Sequence, residues 1–141
     1  MSIQFILLPL FVQVGLTLTL AVMLFMARRG ELVRREVRWQ DIALGEPRWS
    51  PTAMQRGNAY RNQFELPVLF YVLMILLIVT RHADVLMVVL AWIFVLSRLM
   101  HAFVHVTSNY VPWRGMIFGV GALVLLVMWV IFAVRILAGL P

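Results

Sequence analysis

The sequence predicts an all-α integral membrane protein, a single-domain bundle of four transmembrane helices. Three observations predict it. The chain of 141 residues is 63% hydrophobic with a mean hydropathy of +0.95, whereas a soluble domain is roughly 45–50% apolar. The apolar residues gather into four runs close to the ~20 residues that cross a bilayer as helix. Little sequence is left between the runs, so no soluble module accompanies the bundle.

The first span covers about residues 3–27 and is broken only by Gln13, Thr17, Thr19 and small residues. At ~1.5 Å per residue it crosses the hydrocarbon layer. It lacks a basic leader and a clear small-residue cleavage site, so it reads as a retained span rather than a secretory signal. Residues 28–51 form the one long polar connection. Its start extends the first helix, and Trp39 and Trp49 suit headgroup depth. Ser50-Pro51 is an N-cap followed by proline at the first helical position. The second helix therefore begins near Pro51, ahead of its apolar part, and spans about 52–80. Pro67 inside that span predicts a mild kink. The tight turn Arg81-His82-Ala83-Asp84 leads to a third span over about 85–106. A loop carrying Asn109, Tyr110, Pro112 and Trp113 precedes the fourth, over about 114–138. Gly115, Gly119 and Gly121 near its start read as small-residue helix packing.

The net charge is +6, from twelve arginines and six acids with no lysine. Arg28, Arg29, Arg34, Arg35, Arg38, Arg48 and Arg56 all fall between the first two spans. Arg81 is offset by Asp84, and Arg135 stands alone near the C-terminal end. The positive-inside rule places the basic connection and the Asn109 loop in the cytoplasm, with both termini outside. It explains the basicity without a nucleic-acid partner and is compatible with attraction of anionic lipid. The absence of cysteine excludes disulfides, thiolate metal sites and a cysteine nucleophile. No Gly-rich phosphate loop, serine triad, dinucleotide fingerprint or internal repeat is present.

The chemistry-bearing residues sit on three spans. Asn58, Arg61, Asn62 and Glu65 share one helical face at offsets 0, 3, 4 and 7. Arg98, His101 and His105 do so on the third span, and Arg114 opens the fourth. All lie toward the cytoplasmic leaflet by the topology above. Ionisable groups at membrane depth are costly and mark functional sites by default. Together they predict a polar pocket in which the surplus of arginine suits an anion. Plainer roles stand beside this one: Arg61 and Arg98 snorkelling to headgroups, Glu65 paired structurally with Arg61 or Arg98, and His101 and His105 as satisfied core histidines. The arginines oppose a bound cation and the spacing is not that of a metalloprotease, so no metal is expected.

Two stretches carry a resemblance. Ala59-Tyr60-Arg61-Asn62-Gln63-Phe64-Glu65 is similar to the Arg-Asn-x-x-Glu signature on the second helix of the MAPEG family, the membrane-associated proteins in eicosanoid and glutathione metabolism. Arg98-Leu99-Met100-His101-Ala102-Phe103-Val104-His105, followed by Arg114, resembles the prostaglandin E synthase branch in residue type and spacing. The resemblance covers nearly the whole chain and points to a bacterial-type member of the microsomal glutathione transferase and prostaglandin E synthase branch. It implies a homotrimer in the bacterial inner membrane, with glutathione as cosubstrate bound between subunits and a lipid-soluble molecule or lipid as second partner. By it, Asn58, Arg61, Asn62, Glu65, His101 and His105 would hold glutathione, Arg114 would stabilise the thiolate as the catalytic residue, and Arg98 would be a buried structural arginine.

The chain also departs from that pattern. Asn58 stands where relatives often have arginine, and His105 where the branch usually has tyrosine. Gly115 and Phe118 stand where the branch has a serine and a tyrosine near its catalytic arginine. The implied function is a glutathione-dependent transferase or peroxidase acting on apolar electrophiles or lipid hydroperoxides. The alternative is a non-catalytic relative, a lipid-binding or scaffolding subunit of a membrane complex. A small transporter finds little support in four short-looped spans without paired broken helices.

Overall fold

The computed structural model describes residues 2–45 and 48–139. Four helical stretches, Ile3–Val33, Pro51–Val79, Val85–Val106 and Val111–Ala138, are long and apolar enough to cross a membrane. The first is α1 (Ile3–Val33), which continues well past the apolar run. A short helix, α2 (Trp39–Ile42), lies in the basic connection. The next stretch is divided into α3 (Pro51–Arg61), a 3-10 turn (Asn62–Phe64) and α4 (Leu66–Val79). Then follow α5 (Val85–Val106) and α6 (Val111–Ala138).

The end of α1 is tied to the start of α3 by one carboxylate. Glu31 is buried and accepts from both the Ser50 backbone N–H, at 3.1 Å, and the Ser50 hydroxyl. Ser50 Oγ in turn accepts from the Ala53 N–H at 3.2 Å, so it caps α3 with Pro51 in the first turn. A negative side chain at this helix start also suits the helix dipole.

The second stretch breaks where a mild kink was expected. Pro67 has no N–H for the carbonyl of Gln63 and its ring crowds that carbonyl. The chain leaves the helix at Glu65 (φ −98°, ψ −108°) and restarts with Pro67 in the first turn of α4. α1 supports the break: Gln13 Nε2 donates to Gln63 Oε1 at 2.8 Å, and Gln63 Nε2 donates back to the Ala59 carbonyl at 3.4 Å. Both glutamines are almost fully buried. The pair joins α1 to the broken helix at the break, side chain to side chain.

The apolar core lies on the other half of the bundle. Phe70, Leu73, Met74 and Leu77 of α4 meet Met87, Ala91, Phe94 and Val95 of α5 and Leu125, Met128 and Phe132 of α6. Phe70 and Phe94 stack with ring centroids 4.7 Å apart. On α5 the buried stripe continues in register as Arg98, His101, Ala102 and His105. The same helical face is thus apolar along one half and polar along the other, which turns one side of the packed interface into a site.

The turn between α4 and α5 clips the two ends of the α5–α6 pair together. Asp84 Oδ1 accepts from the Met87 N–H at 2.9 Å and Oδ2 pairs with Arg135 Nη2 at 2.7 Å. Burial alone would raise the Asp84 carboxyl, but the Met87 N–H and the Arg135 guanidinium outweigh it and hold it below its usual value. Asp84→Ala is expected to cost about 1 kcal/mol, mostly through the lost cap, because a pair whose carboxylate is half exposed adds little. A carboxyl held low stabilises the fold above its ordinary value and loses that contribution as pH falls through the folded value. Thermal unfolding in detergent should therefore show the wild type losing stability below the ordinary 3.8 more steeply than Asp84→Asn, which keeps a neutral cap.

Candidate functional site

Three helices bring the singled-out residues around two adjoining grooves. One, of about 310 Å³, is lined by Asn58, Arg61, Asn62, Glu65, His105 and Arg114. The other, of about 240 Å³, shares Asn62, His105 and Arg114 and adds His101, Gly115 and Phe118. Together they fall within the roughly 300–1,000 Å³ of small-molecule sites.

The 3-10 turn shapes the α3 side. Arg61 Nη2 donates to Asn58 Oδ1 at 2.8 Å, and Asn62 Nδ2 donates to Glu65 Oε2 at 2.8 Å. Glu65 is exposed, and among the described residues no ion pair joins it to an arginine. The expected pairing with Arg61 or Arg98 is thus replaced by an amide bond. The break explains this, because the tighter turn swings the carboxylate onto Asn62.

Arg98 lies deepest and is fully buried. Its Nη2 donates to Asn62 Oδ1, and to His101 Nδ1 at 3.2 Å. Guanidinium has only donors, so the Nδ1 of His101 is the acceptor. The Phe118 ring covers the guanidinium at 5.3 Å and stands 5.7 Å from the His101 ring. Arg98 therefore does not snorkel; it orients Asn62 from behind. Its Nε and Nη1, and Nδ1 of His105, are buried with no hydrogen-bond partner among the described residues. The two unsatisfied guanidinium donors need an explanation in a native fold, and they leave this wall of the site short of acceptors.

Arg114 stands in the first turn of α6. The preceding turn aims it: Asn109 takes a left-handed conformation (φ 51°), which asparagine tolerates, and its Oδ1 accepts from Arg114 Nη1. The α6 N-terminus thus presents a guanidinium to the same groove, and the positive end of its helix dipole favours anions there. α3 and α5 are held together beside it by Gln55, whose Nε2 donates to the carbonyls of His105 at 2.7 Å and Thr107 at 3.0 Å.

Several of these positioning residues were missed from sequence. Gln13 was visible as the lone amide in the core of an apolar span, and Gln63 falls inside the quoted stretch, four residues before Pro67. Gln55 gave no signal, since its partners are carbonyls fifty residues away. Of the three glycines, Gly121 alone meets a neighbour, at Ser97 and Arg98. Gly115 and Gly119 face open space in this chain.

No curated protein and no solved structure matches the chain. The model of the MAPEG family matches residues 6–134. That match reaches into all four apolar helices and takes in every residue of the two grooves, and the chain therefore belongs to the MAPEG family.

Proposed function

We propose that this protein is a glutathione-dependent transferase or peroxidase of the microsomal glutathione transferase and prostaglandin E synthase type, working as a homotrimer. One observation carries the reading. Among the described residues, Arg61 and Arg114 flank the larger groove with only amide side-chain partners, Asn58 and Asn109, while Glu65 is its one acid. Glutathione has two carboxylates and one ammonium, and this set has two unneutralised guanidinium groups and one carboxylate. Arginine takes carboxylates through paired, charge-assisted bonds, and Glu65 suits the ammonium.

Glutathione supplies a thiol nucleophile. Arg114 would favour its thiolate by placing a permanent positive charge beside the sulfur. Gly115 and Phe118 open the smaller groove toward an apolar face, where an electrophile or hydroperoxide arriving from the bilayer would meet the sulfur. Both grooves are open to the outside on a single chain, which supports completion of the site by a neighbour. Mass measurement in nanodiscs should give three copies, and a stable monomer would remove the shared-site arrangement. The basic connection between α1 and α3 favours a cytoplasmic groove, accessible to a soluble peptide.

Arg61→Ala tests the binding role. A charge-assisted hydrogen bond contributes about 1.5–3 kcal/mol, so titration calorimetry should show binding weakened by at least tenfold, with assembly unchanged. No heat from the wild type at millimolar glutathione would remove the enzyme reading and favour a scaffold. That second reading has its own support, the lack of any hydroxyl at Gly115 and Phe118 beside Arg114.

A further inference from the structure

Within its apolar run α1 buries Ile6, Pro9, Gln13, Leu20 and Leu24, and of these Gln13 alone is polar. We propose that Gln13 sets the preference of the larger groove for a ligand carrying an ammonium group. It does so as a positioning residue, acting through Gln63 on Glu65. This role rests on the glutathione reading for the identity of the ligand.

The bundle has no need of the amide. α1 meets α3 and α5 through Leu20, Ala59 and Ala102, an apolar contact. A side-chain amide in hydrocarbon is costly unless its polar atoms are bonded. Gln13 Nε2 donates to Gln63 Oε1 at 2.8 Å, but Gln13 Oε1 is buried with no partner among the described residues. Leucine in its place would avoid that cost. What the amide does is hold Gln63.

Gln63 is the middle residue of the 3-10 turn and is 1% exposed. Gln13 grips it from α1, and its own Nε2 reaches back to the Ala59 carbonyl. Asn62 before it and Glu65 after it line the larger groove. Side chains three residues apart eclipse one another in a 3-10 turn, and Asn62 and Glu65 meet in this way at 2.8 Å. Pro67 dictates that the helix breaks, but not how the broken segment is rotated. Anchoring Gln63 to α1 fixes that rotation, and with it the direction in which Glu65 stands. Released from Gln13, the turn is free to carry Glu65 off Asn62. Arg61 and Arg114 do not share this dependence, because Asn58 orients the first and Asn109 the second. The carboxylates of the ligand should therefore keep their partners while its ammonium loses Glu65.

The test compares glutathione with its analogue lacking the amino group, glutaryl-cysteinylglycine, by calorimetry on the full chain in nanodiscs. Wild type should prefer glutathione by roughly tenfold or more, as a charge-assisted bond implies. Gln13→Leu should melt no lower than wild type, bind the analogue equally well and lose most of the preference. Gln13→Asn, one methylene too short for the contact, should lose it too. Gln63→Leu should behave like Gln13→Leu, and the double variant should be no worse than either, because both act on one contact. Leu77→Ala, in the apolar core, should melt lower with the preference intact. A Gln13→Leu variant that keeps the preference would overturn the proposal. So would additive losses in the double variant, or an equal weakening of both ligands, which marks a merely structural role. A wild type that binds neither ligand, or both alike, would remove the glutathione reading of Glu65 instead. Nuclear magnetic resonance then decides the positioning role. The Asn62 side-chain amide signals should shift in Gln13→Leu and stay in place in Leu77→Ala, and unmoved signals in Gln13→Leu would overturn it.

Discussion

Gly121→Leu should destabilise the protein by about 3 kcal/mol, and Gly121→Ala by about 1–2 kcal/mol. A Cβ at this position would stand 2.6 Å from Ser97 Oγ, far inside contact distance, and 3.7 Å from Arg98 Cδ. The serine is not free to yield without loss, because its hydroxyl donates to the Phe94 carbonyl at 2.6 Å. Alanine forces that hydroxyl aside; leucine also drives α6 off Arg98. The cause can be isolated. Ser97→Ala removes the clashing atom, so Ser97→Ala combined with Gly121→Ala should recover most of the loss, a coupling that independent sites do not show. Leucine should in addition weaken glutathione binding, since Arg98 holds Asn62 in the groove. Thermal unfolding in detergent reads the first effect and calorimetry the second. A Gly121→Leu variant that melts like wild type would mean that α5 and α6 do not approach here.

This contact illustrates what was legible in the sequence. The four long apolar helices follow from run length and from the scarcity of charge within the runs. Which of the singled-out side chains share a face of their own span follows from helical spacing, because 3.6 residues per turn fixes it. Spacing does not say which helices touch. Gly115, Gly119 and Gly121 look alike in sequence, yet only Gly121 faces α5. The partner of Glu65 was also out of reach, since it depends on a 3-10 turn set by Pro67 two residues later and by Gln13 from another helix. The positive charge of the connection is plain in the sequence, but its division is hidden there. Arg34 and Arg38 are neutralised locally, while among the described residues Arg28 and Arg29 make no ion pair, and that difference emerges only when the connection folds.

Arg98 shows the same tension between stability and function. A buried guanidinium with no carboxylate in direct ion-pair contact among the described residues is a cost that an apolar side chain of similar size would remove. The fold retains it where it fixes both Asn62 and His101. Such an arrangement is expected where a site has been favoured over the most stable core.

Arg114 separates binding from chemistry. If its guanidinium stabilises the thiolate, its effect should emerge mainly in the acidity of the bound thiol. A free thiol titrates near about 8.5, and a neighbouring positive charge lowers such values by roughly one to three pH units. The thiolate absorbs in the ultraviolet, so titration of the glutathione complex reads the value directly. Arg114→Lys keeps the charge but loses the planar fork that Asn109 orients, so the thiol should rise part of the way. Arg114→Leu should carry it close to the free value while glutathione still binds through Arg61 and Asn62. Gly115 and Phe118 bring no hydroxyl to the groove that could take over. Turnover at neutral pH should fall with the thiolate fraction, which drops about tenfold for each pH unit that the thiol titrates above neutrality. A wild-type complex in which the thiol titrates like free glutathione would make Arg114 a structural or headgroup arginine. The protein would then be a member of its family that kept the fold and lost the reaction.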